Sequence, residues 1–172
     1  MGGLDARTRA LTSIKAATYD PVFATGALTL ADGFMYAHAI YLPYDATLTG
    51  VGWCQNVQGD TTADNNNKIG LATGDATNLT LVASCADDGA LWEGAVGITK
   101  KAFSGTYAAQ AGVYWVLILV NWSAVSTAPQ IAQLDTALDQ AGLAAPSMTD
   151  TNVKIGSAVG AQADLPATTI AW

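Results

Sequence analysis

The residues able to do chemistry are few. The chain holds one histidine, His38, two cysteines, Cys54 and Cys85, and a single glutamate, Glu93. One imidazole excludes a multi-histidine metal site within the chain. No G-x-S-x-G turn is present, and Ser104 and Ser157 have no activating base near them in sequence. His38 stands mid-strand among aromatic and apolar residues, which suits a packed side chain better than a base. Carboxylates paired for glycoside hydrolysis would have to be aspartates, and no spacing pairs them. The expectation is a protein that is not an enzyme.

Two loops carry the remaining candidates. In Gln58–Asn67, Asp60, Asp64 and Asn66, flanked by Asn65 and Asn67, offer the hard oxygen donors that calcium takes. The EF-hand pattern fails, since the turn position has no glycine and Leu71 stands where the bidentate glutamate belongs. A structural calcium ion and a solvated Asn/Asp turn are both open readings, and no other cofactor is expected. In the second loop Trp92 follows Asp87 and Asp88 and precedes Glu93. An exposed Trp92 would stack a sugar ring while the carboxylates bind its hydroxyls; folded back, the indole would join the core. Trp53, Trp115 and Trp122 lie in strand-like runs and are expected to be core.

The elements that would position these residues read as strands. Ala27–Ala31, Phe34–Leu42, Thr47–Val57, Lys68–Thr73, Leu79–Cys85, Val96–Phe103, Val113–Trp122, Val153–Val159 and Thr168–Trp172 alternate or are continuously apolar, with Gly, Asn and Asp between them. Pro43 ends the second run, because proline cannot donate to a central ladder. Val113–Trp122 is apolar on both faces and should be a central strand. Pro129–Ala141 is the exception: Ile131, Leu134 and Leu138 at helical spacing, with Pro129 before them and Gly142 after, predict a short helix. Eight or nine strands with one helix suit an antiparallel β-sandwich or jelly roll over residues 21–172. Residues 1–20 read as an N-terminal arm or attachment segment. The two cysteines lie in separate strands and are expected to be free.

Composition narrows the function classes. Of 172 residues 12% are charged and 51% apolar, and 7 Lys and Arg oppose 14 Asp and Glu for a net charge of −7. So little charge excludes a disordered chain or a coiled coil. Arg7, Arg9 and Lys15 crowd the arm, leaving the remainder strongly acidic and a poor partner for nucleic acid. The longest apolar run, Val113–Val120, is far short of the roughly 20 residues of a spanning helix, so no membrane insertion is expected. No apolar signal-peptide stretch stands at the N-terminus. The two apolar faces of Val113–Trp122 call for a cover on each side, from Pro129–Ala141 or from a neighbouring subunit. The low charge favours the subunit.

Four segments carry a resemblance. Leu42–Gly52, Lys68-Ile69-Gly70-Leu71-Ala72, Ala111-Gly112-Val113-Tyr114-Trp115-Val116-Leu117-Ile118 and Asp164-Leu165-Pro166-Ala167-Thr168 resemble strands and closing turns of the jelly-roll and β-sandwich modules of tailed-bacteriophage virion proteins. The likeness covers about residues 34–172, and the motifs are short. It implies a non-enzymatic fibre, spike, baseplate or head-decoration subunit located in the virion. Other virion proteins would be its partners and a homotrimer its expected state, with the arm as the attachment segment. A face that binds a host receptor or surface glycan fits the same reading. A stand-alone carbohydrate-binding module is the alternative.

Overall fold

The computed structural model describes residues 26–75, 78–133, 156–165 and 169–171. Over these residues the chain is all-β. It has twelve strands: β1 (Gly26–Thr29), β2 (Phe34–Leu42), β3 (Ala46–Val57), β4 (Asp60–Ala63), β5 (Lys68–Gly74), β6 (Asn78–Ser84), β7 (Gly97–Ala109), β8 (Gly112–Val120), β9 (Trp122–Thr127), β10 (Gln130–Gln133), β11 (Gly156–Val159) and β12 (Thr169–Ala171). Every pairing is antiparallel. One sheet has the order β1-β10-β3-β7, a second β11-β2-β8-β5-β6-β12, and β4 pairs with β9 alone.

Period-two alternation sorts the side chains. On β2, Tyr36, Ile40 and Leu42 face the four-stranded sheet, while Met35 and Ala37 face the other way. Their neighbours on β8 divide likewise, Val116, Ile118 and Val120 against Trp115, Leu117 and Leu119. The inward set meets Leu28, Val51, Trp53 and Ile131 of the opposing sheet in one cluster, and Leu48, Phe103 and Tyr107 in another. The core between these two sheets is the main one.

The outward face of the six-stranded sheet is also buried. Leu117 and Leu119 are 0% exposed and Trp115 only 5%, in a cluster with Met35, Ala37, Ala72, Leu79 and Leu165. The expected central strand is therefore central, with β2 on one side and β5 on the other. The expectation that its second face lies open to a neighbouring subunit is corrected, because a single chain already covers it. Only Val113 at its start is exposed, paired across the ladder with exposed Tyr41.

Two elements depart from expectation. Gln130–Gln133, the opening of the predicted helix, is strand β10, held between β1 and β3. Its Ile131 alternates into the core, where it is needed to complete the cluster around Trp53. The rest of that prediction, 134–141, lies outside the described residues, as does the whole arm with Arg7, Arg9 and Lys15. The supposed polar loop contains β4, and the long apolar run breaks at Asn121 into β8 and β9.

The cysteines are free. Cys54 lies between Trp53 and Gln55, both buried in the core, so its thiol points to the far side of the sheet, whereas Cys85 is buried in the cluster beside Trp53. The Ile69 amide donates to Cys85 Sγ at 3.1 Å. In a thiol titration of the native protein Cys54 is expected to react and Cys85 to wait for denaturant. Equal, rapid reaction of both would contradict this burial.

Candidate functional site

The loop of Trp92 presents no sugar platform. Trp92 is 1% exposed, its ring tilted against Trp53 with centroids 5.3 Å apart. A short backbone turn explains the burial. The Leu91 amide donates to the Asp88 carbonyl and the Glu93 amide to the Ala90 carbonyl, both at 3.0 Å, and this swings the indole inward. The Trp92 carbonyl accepts from the Gly59 amide and from Gln55 Nε2. An added methyl at Gly59 would lie 2.8 Å from that carbonyl, so the position needs glycine. Trp92 is a core residue, and the exposed-tryptophan reading is corrected.

Its acidic neighbours serve the same local structure. Asp87 Oδ1 accepts from the Asn67 amide at 2.7 Å. Asp88 Oδ1 accepts from the Ala90 amide, and Oδ2 pairs with Lys101 Nζ at 2.6 Å. The hydrogen bond from Lys101 holds the Asp88 carboxyl below its usual range. Glu93 accepts from the Thr61 hydroxyl at 3.1 Å, tying this loop to β4. None of these carboxylates converges on a common point with Trp92.

Asn67, a flank of the calcium candidates, has a structural task instead. It is 1% exposed and forms a hub. Its Nδ2 donates to the Asn121 carbonyl at 2.8 Å and its Oδ1 accepts from the Asn121 amide at 2.9 Å. The same Oδ1 accepts from Trp92 Nε1 at 3.1 Å. One side-chain amide thus serves the backbone at the β8–β9 break as a neighbouring strand would. Asn121 returns the contact, its Nδ2 donating to the Asn66 carbonyl at 2.6 Å. A buried side chain with several donors and acceptors is costly to leave unpaired, and a run of three asparagines between strands is the one sequence signal that points here.

The calcium candidates have separate surroundings. Asp60 opens β4, exposed, two strand positions from Thr62. Asp64 Oδ1 accepts from the Asn65 amide at 2.8 Å, and Asn66 Nδ2 reaches the Ala163 carbonyl. Among the described residues no group of three or more His, Cys, Asp or Glu side chains is placed to hold a metal ion.

What the same loop does build is a cleft. Four segments meet around an open surface hollow of about 260 Å³. Asp32 and Gly33 come from the β1–β2 turn, Asp64 and Asn65 from the β4–β5 connection, Asn121 from the β8–β9 break, and 161–163 from the segment after β11. Backbone hydrogen bonds lock them together: Gly33 to the Val120 carbonyl and Gln162 to the Gly33 carbonyl, both at 2.9 Å. Asp32 Oδ1 accepts from the Trp122 amide at 2.7 Å, and Lys68 pairs with Asp164 at 2.8 Å just outside. Asn65 (φ 49°) and Ala161 (φ 60°) both stand in the left-handed region, and both line the cleft. For alanine that conformation costs about 1 kcal/mol, which the surrounding bonds must offset.

Comparison with family models, with curated proteins and with solved structures finds no match to this chain.

Proposed function

We propose that the protein is a non-enzymatic structural subunit of a bacteriophage particle, a fibre, spike or decoration module that displays a binding face. The two facing sheets are read as a β-sandwich of jelly-roll type. The observation that supports an assembling subunit is the apolar surface left over after folding. Val96 and Ile98 are 66% and 67% exposed, and the cross-strand pair Tyr41 and Val113 is about half exposed at 51% and 50%. On a chain with 12% charged residues such side chains invite contact with another subunit or virion protein. Ile98 stands on β7, which among the described residues pairs with a strand on one side only, β3, and so offers its other edge to another chain.

Since the β8 stripe is covered within the chain, association is argued from this surface, and the number three rests on the resemblance alone. Light scattering after size exclusion is expected to give a multiple of the 17.6 kDa chain, falling to the monomer when Val96 and Ile98 are replaced by glutamate. Mass spectrometry of gradient-purified particles is expected to find the chain at many copies per particle. A protein missing from particles, or one that turns over glycans or esters, overturns the reading.

A further inference from the structure

We propose that β11 is an acid-released edge strand, held on β2 while His38 is neutral and let go when the ring takes up a proton. The inference does not depend on the particle reading. His38 projects from β2 into the space between the two main sheets, on the same face as Tyr36 and Ile40. Its Nε2 is buried there and meets no hydrogen-bond partner among the described residues. A neutral ring leaves one hydrogen bond unmade. A protonated ring carries two N–H donors and a charge, and needs an acceptor or a carboxylate.

Neither sheet supplies one. The described strands of both sheets contain no Asp or Glu, and Asp60 of β4 is the only carboxylate in any described strand. The titratable groups of the surrounding strands are already engaged. Tyr36 accepts from the Ala31 amide and burial keeps its hydroxyl protonated, while Tyr107 lies against Tyr114, which donates to the Gln110 carbonyl. Cys85 Sγ accepts from the Ile69 amide, and Cys54 points to the far side of its sheet. The charged side chains of the sheets are lysines: Lys68 pairs with Asp164, Lys101 with Asp88, and Lys100 is exposed. A cation between the sheets must therefore be met by water, and one wall has to open.

The wall that opens with least loss is β11. β2 is paired with β8 along all 9 of its residues, but with β11 over only four, Gly156–Val159. The opposing sheet is held by the core on both sides of His38, through Tyr36 and Ile40. β11 ends its sheet, with no ladder beyond it among the described residues. Opposite His38 it has Gly156, which brings no side chain to shield the ring. Past β11 the chain is anchored again: the Gln162 amide donates to the Gly33 carbonyl at 2.9 Å, and Asp164 pairs with Lys68. Between strand and anchor stand Gly160 and Ala161, the latter left-handed at φ 60°. Release relaxes that backbone, stops at the anchor, and leaves the β2 edge with unpaired N–H and C=O groups.

Native-state hydrogen exchange on the full chain at pH 7 and pH 5, corrected for the intrinsic exchange rate, is the test. At pH 7 the amides of Gly156–Val159 are expected to be less protected than those of the β5–β8 ladder. They should exchange through an opening that low urea leaves unchanged. From pH 7 to pH 5 their protection is expected to fall about tenfold or more, the effect of one proton taken up in the open state. The β5–β8 amides should remain the better protected at both pH values. In His38→Leu, and in His38→Gln if the leucine variant does not fold, the fall is expected to vanish. The proposal is overturned by β11 amides that share the protection and urea dependence of the β5–β8 ladder, since the strand would then leave only on global unfolding. Protection of β11 that does not fall in acid, or a fall that persists without the imidazole, overturns it as well.

Discussion

Asn67→Ala is expected to destabilise the protein by about 3 kcal/mol or more, a large part of the roughly 5–15 kcal/mol that holds a domain together. The substitution strands two buried donors at once, the Trp92 indole N–H and the Asn121 amide, and takes from the Asn121 carbonyl the shorter of its two hydrogen bonds, leaving it the Asp64 amide at 3.4 Å. Each buried polar group that loses its partner costs about 1–3 kcal/mol. Asn67→Asp should recover little, because it sets an oxygen against the Asn121 carbonyl where Nδ2 now donates. The neighbouring Asn66→Ala removes only one exposed hydrogen bond, to the Ala163 carbonyl, and should cost less than about 1 kcal/mol. Urea unfolding of the three variants measures this directly. A loss below about 1 kcal/mol for Asn67→Ala would mean that water replaces the amide, and that the hub is not structural.

Stability is expected to fall as the pH drops below about 6.5, with His38 as the cause. Its Nε2 is buried and has no hydrogen-bond partner among the described residues. The ring stands on β2 between Tyr36 and Ile40, with Val116 of β8 and Gly156 of β11 as cross-strand neighbours. Burial pushes its pKa below the ordinary histidine value, since a charged imidazolium would have no acceptor there. The sign follows. A folded pKa below the unfolded one means that the unfolded chain takes up the proton first, so acid favours unfolding. The loss begins near pH 6.5, grows by up to about 1.4 kcal/mol per pH unit, and stops once the folded pKa is passed. His38→Leu should remove this component and, by deleting an unpaired buried nitrogen, match or exceed the native stability at neutral pH. Denaturation curves at pH 7.5 and 5.0 for both proteins decide it. An equal acid sensitivity in His38→Leu, or a His38 that titrates at its ordinary value by NMR, would sink the claim.

The surface pair between Asp88 and Lys101 contributes far less than either of these, because water screens both partners.

Sequence alone determined the strands whose pattern is local. Phe34–Leu42 alternates and stops at Pro43, and the strand has those bounds. The run from Val113 is apolar on both faces, and β8 is a central strand buried on both. These follow from period two and from the chemistry of proline, which need no distant partner. Tertiary structure decided the rest. Ile131 fits a helical stripe and an alternating strand equally over four residues, and β1 and β3, about 75 to 105 residues upstream, offered it ladders that a lone helix lacks. The break at Asn121 is invisible locally because its partner, Asn67, is 54 residues away. The turn at Trp92 is legible from Asp87-Asp88-Gly89, but whether a loop aromatic faces water depends on the pocket waiting for it, here Trp53 and the Asn67 amide. The cleft is the extreme case. Asp32, Asp64 and Gln162 share no motif, and they meet only because the pairing of distant strands brings the β1–β2 turn, the β4–β5 connection and the segment after β11 to the β8–β9 break.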